Sequence, residues 1–95
     1  MKYKVMIVDD QFVARQLFEL YVKSSDNYEV AVSVDTAAMV ENLLETVTVD
    51  LIIMDVLMND GSNGLVAAEK IKKLYPGIKI IVVTSMAEVS WMERA

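Results

Sequence analysis

Three carboxylates and a hydroxyl stand at the ends of short apolar runs. Asp9 and Asp10 follow Lys4-Val5-Met6-Ile7-Val8, Asp55 follows Leu51-Ile52-Ile53-Met54, and Thr84 follows Ile80-Ile81-Val82-Val83. As neighbouring parallel strands, these runs would bring all four residues to one carboxyl edge, where open α/β sheets bind their ligands. Like charges within about 4–6 Å raise one another's pKa, so such a cluster is costly unless a cation relieves it. Hard carboxylate oxygens suit magnesium, which takes one or two carboxylates, keeps several waters and holds phosphate. The chemistry expected is the handling of a phosphoryl group beside a divalent cation. Each piece alone has a plainer use, since an Asp after a strand commonly caps a helix or makes a turn. Their joint occurrence carries the reading.

The elements that must position these residues alternate in period. Residues 4–8 form a continuous β-branched run, as expected of a strand covered on both faces. From Phe12 to Val22 the pattern becomes helical, with Val13, Leu17, Leu20 and Tyr21 as its stripe. Ser24-Ser25-Asp26-Asn27 is a turn cluster, and residues 28–34 form a second strand with Val30, Val32 and Val34 alternating. Asp35 and Thr36 offer N-cap chemistry to a second helix whose stripe is Ala37, Val40, Leu43 and Leu44. A third strand covers residues 51–54, and a polar loop leads to a third helix from about Leu65 to Leu74, ended by Pro76-Gly77. A fourth strand at residues 80–83 precedes the opening of a fourth helix. This βαβαβαβα order predicts one domain, a parallel sheet with helices on both faces and right-handed crossovers. Met6 and Met54 read as core, and Lys70, Lys72 and Lys73 as the solvated face of the third helix.

Composition narrows the function. The 95 residues are 55% hydrophobic and 24% charged, with a net charge of -5. This is a globular balance without the Lys and Arg clusters that nucleic-acid phosphates require, so no direct nucleic-acid binding is expected. The chain has no cysteine and no histidine, which excludes thiolate sites, imidazole catalysis and a Ser-His-Asp arrangement within it. No apolar stretch approaches the ~20 residues of a membrane span, and the start lacks a signal-peptide core. No membrane association and a cytoplasmic location are the expectations.

The combination Val8-Asp9-Asp10, Ile53-Met54-Asp55 and Val82-Val83-Thr84-Ser85 resembles the receiver domain of two-component response regulators. The resemblance covers essentially the whole chain. It implies a flavodoxin-like, doubly wound sheet in the order 2-1-3-4, with residues 1–95 as an incomplete receiver domain lacking the fifth strand and helix. It also implies that Asp55 accepts a phosphoryl group from the phosphohistidine of a sensor histidine kinase, forming an acyl phosphate. Asp10 would then ligate Mg2+ directly and Asp9 partly through water, with Asp55 and the backbone carbonyl of Leu57 as further ligands. Thr84 would contact a phosphoryl oxygen and report phosphorylation to the fourth helix. Such a protein is a switch rather than an enzyme, although it can assist its own phosphorylation and dephosphorylation. It would control an output domain outside this chain, and the segment around the fourth strand looks similar to that of transcription regulators with a DNA-binding helix-turn-helix.

Departures from the family pattern shape further expectations. Asn59 stands where proline is common, and the loop to Gly64 has one apparent extra residue; Asp60 within it reads as a solvated turn residue. The lysine that ends the family's fifth strand lies beyond Ala95, and Lys79 sits at the wrong end of its strand to replace it. Slow phosphorylation or none is therefore expected, together with an exposed fourth-strand edge that favours a dimer, a domain swap or marginal stability. Trp91, in the opening fourth helix, suits either an interaction surface or packing against further structure. A phosphorylation-independent pseudo-receiver is the alternative function. A magnesium-dependent aspartyl phosphatase is disfavoured because Leu57 occupies the place of its second Asp, and no glycine-rich loop marks a nucleotide site.

Overall fold

The computed structural model describes residues 2–56 and 63–83. Strand β1 spans Tyr3–Val8, followed by α1 (Phe12–Lys23), β2 (Tyr28–Val34), α2 (Ala38–Leu44), β3 (Leu51–Asp55), α3 (Gly64–Leu74) and β4 (Lys79–Val83). The four strands form one parallel sheet in the order β2-β1-β3-β4. This is the predicted doubly wound arrangement, with β4 at an outer edge among the described residues.

Strand β1 is central because it is apolar on both sides. Its alternate residues divide between two cores. Met6 and Val8 join Val34, Val40, Leu44, Ile52, Met54 and Ile71 in the core under α2 and α3. Val5 and Ile7 turn the other way and meet Val22 and Phe18 of α1. Met6 and Met54 are fully buried, as expected of core residues.

The structure corrects the reading of β2. Val5 pairs with Val30 but Met6 pairs with Val32, so the register shifts and Ala31 is the extra residue of a bulge. The bulge breaks the simple alternation. Val30 packs with Val5 and Ile7 on the α1 side, whereas Val32 and Val34 pack with Met6 and Val8 on the opposite side.

Helix α1 is also turned from its expected orientation. Val13, Leu17, Leu20 and Tyr21 are 62–74% exposed, while Val22 is buried and Ala14 and Phe18 are half-buried. The apolar arc of α1 spans more than half the helix circumference at 100° per residue. Periodicity cannot choose which half of so wide an arc meets the sheet.

Two smaller corrections concern helix ends. Helix α2 starts after Ala37, whose backbone is already helical, and no side chain caps it, so neither Asp35 nor Thr36 is its cap. Ala37 is buried against the same core as Val34 and Val40, and this packing sets the start. At the end of α3, Lys72 is not merely solvated. Its Nζ donates to the carbonyls of Pro76 (3.0 Å) and Ile78 (2.8 Å), tying the approach to β4 onto the helix. Lys70 pairs with Glu41 at 3.1 Å across the surface.

Candidate functional site

Register brings the carboxylates together. The β1–β3 ladder pairs Ile7 with Ile53 and Val8 with Met54, so the next residues along, Asp9 and Asp55, fall side by side at the carboxyl edge. Asp9 and Asp55 are 1% and 0% exposed, which is exceptional for a charged side chain. Asp10 is half-buried. One carboxylate oxygen from each of Asp9, Asp10 and Asp55 lies within 4.8 Å of the others. The predicted acidic edge is therefore present for its three carboxylates. Thr84 and Leu57 lie outside the described residues, as do Asn59, Asp60 and Trp91.

Asp9 is tied to its surroundings by three hydrogen bonds. Its N–H donates to the Val34 carbonyl at 3.1 Å, its Oδ1 accepts from the Gln11 N–H at 2.8 Å, and its own carbonyl accepts from Arg15 Nη1 at 2.8 Å. Burial pushes its carboxyl pKa above the usual range; the Gln11 N–H works against this, the Asp10 charge adds to it, and Arg15 opposes it.

The sign of the pH dependence follows. A carboxyl whose folded-state pKa is raised binds more protons in the folded than in the unfolded chain. Its contribution to stability then falls as pH rises from the ordinary Asp value of about 3.9 up through the raised folded value, and is flat above it. Metal-free protein should therefore lose stability across that window relative to Asp9→Asn, which keeps the acceptor for Gln11 but cannot titrate. Urea midpoints of the two proteins across the window check this, and identical pH slopes would contradict it.

The oxygen donors fit a hard cation. Two oxygens on one Mg2+ lie at most about 4.2 Å apart, twice a ligand distance of about 2.1 Å. The 4.8 Å spread is only slightly wider, so a small inward movement, or one carboxylate held through water, suffices. All donors are carboxylates, with no nitrogen or sulfur ligand among them, as magnesium prefers.

Gly64 opens α3 directly against the site. A Cβ there would overlap the carbonyl oxygen of Asp55 and lie 2.8 Å from its carbonyl carbon. The Gly64 N–H donates to the Val56 carbonyl at 2.8 Å, while the Val56 N–H donates to Val83 at 2.8 Å. Asn63 caps the helix through its side-chain oxygen, which accepts from the Leu65 N–H at 2.8 Å. Gly64 stands where the family resemblance puts a glycine that opens the third helix, and it opens α3. Arg15, six residues from the carbonyl it binds, carries no such signal in the sequence.

A parallel α/β sheet with a carboxylate cluster at its carboxyl edge places that cluster where open α/β domains bind their ligands. Residues 5–95 match the model of the response regulator receiver domain, and the chain belongs to that family. It is 37% identical over 84 residues to the oxygen regulatory protein NreC of Staphylococcus carnosus, covering 85% of this chain and 37% of that protein. It is 32% identical over 95 residues to the response regulator protein VraR of Staphylococcus saprophyticus, covering 100% of this chain and 45% of that protein. The chain thus spans less than half the length of these relatives. The isolated REC domain of RcsB from Salmonella enterica serovar Typhimurium superposes with a TM-score of 0.80 at 21% identity, over 88% of this chain and 62% of that one. A LuxR-family two-component response regulator from Aurantimonas gives 0.79 at 23% identity, over 88% and 59%. Among the described residues no helix is long and apolar enough to cross a membrane.

Proposed function

We propose that this chain is a phosphoacceptor switch, with Asp55 as the residue that takes the phosphoryl group from a sensor histidine kinase. The observation that carries the reading is the convergence of Asp9, Asp10 and Asp55, two of them essentially fully buried, at the sheet edge. Asp55 is the central member by topology, because β3 lies between β1 and β4. Its ionised carboxylate attacks phosphorus in line as the bond to the donor nitrogen breaks, giving an acyl phosphate and a neutral imidazole on the donor. No general base is needed, since a carboxylate nucleophile carries no proton to remove. Asp10, Asp9 and Asp55 would hold Mg2+ together with the Leu57 carbonyl, and the ion would neutralise charge on the transferring group. Thr84 then contacts a phosphoryl oxygen and acts as the reporter. The relatives NreC and VraR carry the names of regulatory proteins, which supports control of an output domain as the end of the pathway.

The test is chemical. This chain, and a version extended through a fifth strand and helix, are incubated with Mg2+ and a small phosphodonor. A base-labile mass increase of one phosphoryl group is expected, slower in the shorter chain. No uptake by the extended version would refute the switch and favour a phosphorylation-independent interaction module.

The β4 edge supports a second property. Ile81 is 46% exposed on β4, the outer strand among the described residues, and strand edges can template pairing with another chain. A homodimer or domain swap is expected to appear as a concentration-dependent mass by light scattering. A mass that stays monomeric at high concentration would contradict it.

A further inference from the structure

We propose that Arg15 is a positioning residue for the metal-binding turn, a clamp that orients Asp10 by holding the carbonyl of Asp9. The inference rests on the reading of Asp9 and Asp10 as magnesium ligands and adds to it a residue outside the acidic cluster. The geometry begins with the turn between β1 and α1. Gln11 occupies the N-cap of α1 with an extended backbone, but no side chain caps the helix. The turn is held instead by three bonds to Asp9. Its N–H is fixed to β2 through Val34, its Oδ1 receives the Gln11 N–H, and its carbonyl receives the guanidinium of Arg15 at 2.8 Å.

The third bond matters for Asp10. The carbonyl of Asp9 and the N–H of Asp10 belong to one planar peptide group. Fixing the carbonyl therefore fixes the plane from which the Asp10 side chain departs towards Asp9 and Asp55. Arg15 is itself held on both sides of this contact. Its backbone N–H donates to Gln11 at 3.0 Å, and its guanidinium lies 5.7 Å from the centroid of the Phe12 ring. A planar guanidinium that donates to a carbonyl while lying near an aromatic ring is a geometry that lysine does not reproduce.

Position and charge are separated by Arg15→Lys, which keeps the charge and loses the guanidinium. Through its charge alone, Arg15 acts on the site in two opposed ways, repelling a dication and favouring the ionised form of Asp9. As a clamp, it pre-organises Asp10, so its loss weakens binding. Mg2+ affinity is measured by titration calorimetry on the wild-type chain, Arg15→Lys and Arg15→Gln, with urea curves to establish the folded fraction of each. Both variants are expected to bind about tenfold more weakly, at the low end of what loss of an outer-shell partner costs, with the folded fraction unchanged. Wild-type affinity in Arg15→Lys, tighter binding in Arg15→Gln, or a loss no greater than the drop in folded fraction would each overturn the clamp. If Arg15→Gln does not fold, Arg15→Lys decides alone, because it keeps the charge and the stem. Absence of Mg2+ binding by the wild-type chain would instead remove the magnesium reading itself, and the clamp with it.

Discussion

Gly64→Ala is expected to lower the free energy of unfolding by about 3 kcal/mol or more, at or beyond the upper end for overpacking. A domain has only about 5–15 kcal/mol in total, so the loss is a large share. The size of the effect comes from what the new methyl meets. It would overlap the carbonyl oxygen of Asp55 and approach the Asp55 carbonyl carbon and the Val56 Cα at 2.8 and 3.0 Å. All three are backbone atoms of β3 and the residue after it, so no side chain can swing aside. Relief requires α3 to separate from the end of β3, which would also break the 2.8 Å bond from Gly64 to Val56. The damage falls on the strand end that carries Asp55, so magnesium affinity should fall as well. Gly77 provides the control. A Cβ there meets nothing within 4 Å, and Gly77→Ala should stay within about 0.5 kcal/mol of the parent. Urea denaturation of the two variants checks the contrast, and a Gly64→Ala loss below about 1 kcal/mol would contradict it.

Asp55→Asn is expected to abolish phosphoryl uptake while leaving the fold intact and, without metal, more stable at neutral pH. Uptake is lost because an amide lacks the anionic oxygen that attacks phosphorus. The stability gain has an electrostatic cause. Asp55 is 0% exposed and shares the cluster with two other carboxylates, and repulsion between charges at this spacing is poorly screened where water is excluded. The nearly isosteric amide removes one of three like charges with little change in packing. Intact mass after exposure to phosphodonor and the metal-free urea midpoint measure the two effects together. Uptake at the wild-type rate, or a lower midpoint, would count against Asp55 as acceptor or against repulsion within the cluster.

The acidic edge was legible because strand ends can be read from apolar runs, and parallel strands align their ends. Once Val8 pairs with Met54, Asp9 and Asp55 can only be neighbours. The faces of the elements were less legible. The stripe Val13, Leu17, Leu20 and Tyr21 has helical spacing, yet the sheet meets the adjacent arc through Ala14, Phe18 and Val22. A one-residue bulge at Ala31 reassigns Val30 to the opposite core, and nothing in the alternation of β2 announces it. Helix α2 begins by packing Ala37 rather than by capping from Asp35 or Thr36. Arg15 and Lys72 were missed for one shared reason. Each binds main-chain carbonyls through a long side chain, and such contacts depend on three-dimensional placement rather than on period or motif.

The acceptor can be identified by trapping it. Reduction with borohydride converts an aspartyl phosphate to homoserine, so the modified residue is marked by a lower peptide mass after digestion. Applied to the phosphodonor-treated chain with Mg2+, this should place homoserine at position 55 and nowhere else, with no conversion when Mg2+ is withheld. Homoserine at Asp9, Asp10 or Asp60 instead, or none at position 55 in a chain that has gained a phosphoryl group, would contradict Asp55 as the phosphoacceptor.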